Sequence, residues 1–132
     1  MSVLVDTSVW SEFLGRPSGR PHVVQALRQL VEAGEVAMIG AIRQEILSGL
    51  KERRQFDRLK KALGAFVDEQ TRSEDYENAA EFFKRCRAVG VQGSNTDFLI
   101  CSVAELRGLP IFTLDRDFEV FARHLPIQLF EP

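Results

Sequence analysis

Short apolar runs separated by segments of helical period restrict the fold of this chain more than any other feature. Val3-Leu4-Val5, Val36 to Ile39, Pro110 to Leu114 and Ile127 to Leu129 are such runs. A strand that is apolar at successive positions is buried on both faces, because neighbouring side chains point to opposite sides. Between the runs, three sets of apolar residues recur every three or four positions: Val9, Trp10, Phe13 and Leu14; Val23, Leu27, Leu30 and Val31; Ile42, Ile46, Leu47 and Leu50. Parallel strands need crossover helices, so the alternation predicts an α/β domain of three layers around a parallel sheet.

The remaining segments fit that scheme. Gly15 to Pro21 reads as a loop closed by a helix from His22 to Ala33. The charged stretch after Leu50 continues as helix, with Phe56, Leu59, Leu63 and Phe66 on one stripe, and Phe66-Val67 reads as a short strand. Glu74 to Ala88 is helical. Thr96 to Leu106 is apolar almost all round, which marks a central buried helix, and Gly108 stops it. Asp115 to Ala122 forms a short helix. No repeat or linker divides residues 1–132, so one domain is expected.

Charge narrows the function classes. The formal net charge of -2 excludes a strongly basic nucleic-acid coat protein. It leaves a nuclease open, because the charges are segregated. Residues 51–61 hold six bases against two acids, and residues 68–81 hold six acids against Arg72 alone. The basic run also reads as a solvated helix face. Cys86 and Cys101 have neither CxxC spacing nor a nearby histidine pair, so buried thiols are expected rather than a zinc site or a disulfide. No stretch approaches the ~20 apolar residues of a membrane span, and MSVLVD lacks the basic start of a signal peptide, so a cytoplasmic protein is expected.

The carboxylates carry the chemistry. Asp6 directly follows the first strand, Glu45 lies one turn into the helix after the second, Asp97 begins the buried helix, and Asp115 follows the next strand with Asp117 two residues on. In an open parallel sheet the crevice beyond the carboxyl ends of the strands is where ligands bind, and all five acids map to that edge. Singly, Asp6, Asp97 and Asp115 read equally well as helix caps, Glu45 as a solvated residue and Asp117 as a dipole partner. Together they would repel one another unless a cation lay between them. Hard oxygen ligands select Mg²⁺ or Mn²⁺, and such a site suits phosphodiester cleavage without a covalent nucleophile.

VLVDTSVWSEFL, the RQEIL around Glu45, SNTDFLICSVAEL and IFTLDRDFEVFAR closely resemble the PIN-domain ribonucleases, in particular the VapC toxins of toxin–antitoxin pairs. The likeness spans essentially the whole chain, with four motifs in order. It implies a parallel α/β/α fold of about five strands, Mg²⁺ or Mn²⁺ dependence, and endonucleolytic cutting of structured RNA such as tRNA or ribosomal RNA. It also implies homodimers, and a partner antitoxin that covers the acidic groove in a toxin–antitoxin hetero-oligomer. Residue by residue, Asp6, Glu45, Asp97 and Asp115 match the family's acidic quartet. Asp117 matches an extra acid, and Thr7 and Thr113 match hydroxyls that orient the metal ligands.

An acidic site needs cations nearby to accept RNA. Arg43 and Arg116 adjoin proposed ligands and read either as phosphate contacts or as ion-pair partners of those carboxylates; Arg16, Arg20 and the 51–61 run are further candidates. His22 and His124 lack the context of a histidine-dependent ribonuclease. Competing folds fit poorly. A Rossmann module needs GxGxxG where DTSVWS stands, a DxD phosphatase needs an acid at Ser8, and a receiver domain needs an acidic pair near the end of the first strand and a lysine after a late one, where Thr113-Leu114-Asp115 offers none. Two rivals survive: an RNA-processing PIN nuclease that is not a toxin, and a PIN-like scaffold that binds RNA or protein without cutting.

Overall fold

The computed structural model describes residues 1–15 and 20–132. Most of the expected Gly15–Pro21 loop, Arg16 included, lies outside the described residues. Strands β1 (Val3–Val5), β2 (Val36–Ala37) and β3 (Ile111–Phe112) form a parallel sheet in the order β2-β1-β3. Leu4 sits opposite Ala37 on one side and Ile111 on the other. All three residues of β1 are buried. Consecutive strand residues face opposite ways, so both faces of the central strand are covered, as a layered α/β fold requires.

Helices α1 (Thr7–Gly15), α2 (Pro21–Glu32), α3 (Gly40–Ser48), α4 (Arg53–Leu63), α5 (Ser73–Ala88), α6 (Asn95–Arg107) and α7 (Asp117–Ala122) complete the fold. Pro21 opens α2, where its missing N–H costs nothing. The central helix is α6, with Phe98 through Ala104 buried at every position. It ends on Gly108 at φ +65°, a left-handed conformation that glycine adopts without Cβ strain.

Helices α5 and α6 are locked by polar groups that sequence periodicity did not single out. Asp75 is buried and takes both terminal nitrogens of Arg107, at 2.7 and 3.0 Å, plus the Arg72 N–H at 2.7 Å. The buried Ser102 hydroxyl donates to the Asp75 carbonyl at 2.7 Å and accepts from Asn78 at 3.1 Å. Much of the acidic pole is thus ion-paired within the fold: Asp68 with Arg43, Glu69 and Asp75 with Arg107.

Several expectations need correction. Among the described residues the sheet has three strands rather than about five: Asp68 and Leu129 each add one parallel bridge, to Met38 and Ile111. Phe66 stays in the turn that leaves α4, its N–H on the Leu63 carbonyl, and Val67 is solvent-exposed, so that segment never extends into a strand. At β3 the cause is side-chain competition. The Leu114 N–H goes to the Ser8 hydroxyl and the Asp115 N–H to the Thr113 hydroxyl, which ends the strand at Phe112. The helix predicted to run on past Leu50 is also broken. Helix α3 closes at Gly49, and α4 starts afresh at Arg53.

Candidate active site

Asp6, Thr7, Ser8, Glu45, Thr96, Asp97 and Asp115 line one cleft of about 620 Å³, with Gln44 and Ser48 on its rim. They arrive there because β1 and β3 end side by side. Parallel strands point the same way, so residues immediately after them share one edge. The start of α6 delivers Asp97 and the first turns of α3 deliver Glu45.

Asp6 is buried. Among the described residues its carboxylate accepts no backbone N–H of α1. Instead Oδ2 accepts from the Ser8 and Thr113 hydroxyls, each at 2.8 Å. Glu45 is exposed, and its Oε1 accepts from the Thr7 hydroxyl at 2.9 Å. Asp97 does serve as a cap partner: its N–H donates to the Ser94 hydroxyl and its Oδ2 accepts the Ser94 N–H, both at 3.0 Å. Gly93 precedes that cap because a Cβ there would stand 2.7 Å from the Phe121 ring and 2.9 Å from Phe98. Asp115 Oδ1 accepts the Asp117 N–H at 2.9 Å.

One pattern runs through all four acids. Each has one oxygen fixed by hydrogen bonds and the other without a partner among the described residues. None of the four is in an ion pair among those residues. The capping and ligand readings of Asp97 are therefore compatible, because each uses a different oxygen.

The PIN-domain family matches residues 3–124. Ribonuclease VapC11 of Mycobacterium tuberculosis is 33% identical over an alignment of 132 residues that covers 96% of each chain. This chain belongs to the PIN-domain family, among the VapC ribonucleases. A toxin–antitoxin complex from Klebsiella pneumoniae contains a chain 25% identical to this VapC-family protein, with a TM-score of 0.69 over 89% of this chain and 90% of that one. VapBC2 from Rickettsia felis, bound to a promoter DNA fragment, shares the fold at 18% identity, with a TM-score of 0.77 over 99% and 98% of the two chains.

Other candidates named from sequence lie outside the cleft. Asp117 is exposed and, among the described residues, touches the site through its backbone N–H on Asp115. Arg43 turns away from the acids: it pairs with Asp68 at 2.8 Å and donates to the Leu63 and Phe66 carbonyls, fastening the turn after α4 onto α3. Arg116 is exposed beside Asp115, with no ion pair among the described residues. It borders a neighbouring cavity with Arg20, His22 and Glu119. Ser8 is the residue that sequence reasoning overlooked as part of the site, since its hydroxyl reads as ordinary helix-start chemistry.

The donor set fits a hard divalent cation. It is all carboxylate and hydroxyl oxygen. Both cysteines are buried elsewhere in the core, and burial pushes the Cys101 thiol far above its ordinary value, with the Asp97 charge adding to the effect. As the side chains stand, no three acids among the described residues are grouped to hold one ion. Among the described residues no helix is long and apolar enough to cross a membrane.

Proposed function

We propose that this chain is a divalent-metal-dependent endoribonuclease, the toxin of a toxin–antitoxin pair, acting on structured RNA such as tRNA or ribosomal RNA. One observation carries the reading: four carboxylates line a single cleft, each with one oxygen that has no partner, and none in an ion pair, among the described residues. Asp6, Glu45, Asp97 and Asp115 would hold Mg²⁺ or Mn²⁺, with Asp117 supporting from outside the cleft through its backbone N–H on Asp115. A bound ion would lower the pKa of a coordinated water and neutralise charge on the phosphodiester oxygens. The protein's own part is orientation. Ser8 and Thr113 set the plane of Asp6, Thr7 steers Glu45, and the cap with Ser94 fixes Asp97.

Support for the toxin role comes from relatives named as VapC ribonucleases and from neighbours solved as toxin–antitoxin complexes. On that reading an antitoxin covers the cleft, and the working particle is a homodimer or a hetero-oligomer with that partner. Arg116, exposed beside Asp115, is the better placed of the two arginines to meet a phosphate.

The test is cleavage of a tRNA and rRNA mixture by the purified protein. RNA is expected to be cut with Mg²⁺ or Mn²⁺, and to stay whole with EDTA or with Asp6→Asn. Intact RNA at high protein concentration with either metal, together with equal RNA binding by Asp6→Asn, would establish a non-cutting scaffold instead.

A further inference from the structure

We infer that Ser8 is a positioning residue of the site, whose hydroxyl ties the Asp6 carboxylate to the backbone that carries Asp115. The inference rests on the metal-site reading above and adds a residue to it.

The hydrogen bonds around Ser8 have only one consistent set of directions. A serine hydroxyl carries one proton and two lone pairs. The Leu114 N–H can only donate, and it points at Ser8 Oγ from 3.0 Å. The Asp115 N–H likewise donates to Thr113 Oγ1 at 3.0 Å. Asp6 Oδ2 lies 2.8 Å from both hydroxyls, whereas the two hydroxyls are 3.3 Å apart. The shorter, charge-assisted contacts take the protons, so Ser8 and Thr113 both donate to the same oxygen. Asp6 Oδ2 is held from two sides, and Oδ1, without a partner among the described residues, is left for a ligand.

Local helix chemistry does not account for this. A serine in a first helical turn ordinarily bonds a backbone group a few residues away. Ser8 instead reaches Leu114, across the junction between the ends of β1 and β3. Its removal has two consequences. Asp6 keeps only Thr113, and an aspartate's terminal torsion is broad once unrestrained. The Leu114 N–H loses its acceptor, which loosens the segment on which Thr113 and Asp115 are mounted. One hydroxyl therefore governs two of the acids.

Hydrogen-bond partners of metal ligands typically carry about 10–100-fold in metal affinity, and Ser8→Ala is expected to weaken Mn²⁺ binding within that range. The experiment titrates Mn²⁺ into the full-length wild type, Ser8→Ala and Ser8→Thr, by calorimetry and by the electron-paramagnetic-resonance signal of free Mn²⁺. Thermal unfolding in EDTA is followed alongside. Ser8→Thr keeps both hydrogen bonds and is expected to restore affinity to near the wild-type value. A purely structural serine would lower the melting temperature and leave the folded protein's Mn²⁺ affinity unchanged, which would overturn the inference. If the wild type itself takes up no Mn²⁺, the metal reading fails and Ser8's role goes with it. Should Ser8→Ala not fold, Ser8→Cys, which fills the same space with a far weaker donor and acceptor, is measured against the same criteria.

Discussion

Asp97 is where a helix cap and a metal ligand share one side chain, so its replacement separates the two roles. In Asp97→Asn the amide oxygen can still accept the Ser94 N–H now held at 3.0 Å, and the Asp97 N–H bond to Ser94 Oγ is untouched. The reciprocal cap survives. What is lost is one negative charge at the start of α6, worth about 0.3–1 kcal/mol against the helix dipole. Relief of repulsion from the other cleft acids opposes that loss, because none of them has a cation partner among the described residues. The net change in unfolding free energy is therefore expected to stay within about 0.5 kcal/mol of zero, the range of ordinary surface substitutions. Asp97→Ala removes the side-chain half of the cap as well and should cost about 1 kcal/mol. Both variants should lose cleavage by at least about 100-fold, since a direct ligand should matter no less than the groups that merely orient one. Urea unfolding in EDTA gives the stabilities, with an unchanged slope showing that the midpoints are comparable, and RNA cleavage in Mn²⁺ gives the activities. Full cleavage by Asp97→Asn would reduce Asp97 to a cap. A loss of several kcal/mol in the same variant would show that the charge is already balanced inside the protein.

Two further outcomes concern the scaffold. Asp75→Asn turns one of the two Arg107 contacts into a donor facing a donor; with Asp75 buried and Arg107 partly exposed, the cost should fall near the low end of the range for a broken buried pair, about 3 kcal/mol in urea unfolding. Hydrogen bonds from Arg107 hold the Asp75 carboxyl below its ordinary value, so the pair's contribution is complete above the unfolded carboxylate pKa and fades as pH falls toward the lowered folded value. The stability gap between wild type and Asp75→Asn should accordingly narrow in acid, and a gap that is the same at pH 3 and pH 7 refutes the assignment. Gly93→Ala forces a methyl into the Phe98 and Phe121 rings and should cost about 1–3 kcal/mol, with weakened cleavage because the displaced loop carries Ser94; an unchanged urea midpoint refutes it.

Much of this architecture was legible in the chain because burial leaves a periodic trace. The all-round apolar segment from Phe98 to Ala104 announced the central helix, and Val3-Leu4-Val5 announced a strand covered on both faces. The strand count was less legible. Whether an apolar pair such as Phe66-Val67 extends or turns depends on which partner its backbone amides find, and a short run does not encode that. The same holds for β3, which stops at Phe112 because hydroxyls from Ser8 and Thr113 take the next two amides. Arg43 illustrates the limit for side chains. Its neighbour Glu45 faces the cleft, yet Arg43 faces the turn after α4, since residues two apart on a helix lie on different sides.

The sequence alone narrowed the acids that could meet to five, of which the fold brings four into one cleft and leaves Asp117 outside it. Asp6 and Asp115 follow strands, Asp97 opens a helix and Glu45 lies one turn into another, and parallel strands deliver such positions to a common edge. It also determined the family, through four ordered motifs. The tertiary structure alone decided how each carboxylate is held, which oxygen it keeps free, and that Ser8 rather than a local cap fixes Asp6. The physical reason is range. Periodicity and capping are set by neighbours a few residues away, whereas the bonds that orient Asp6 join Ser8 to Leu114 and Asp6 to Thr113, contacts that exist only after the sheet has brought β1 and β3 together.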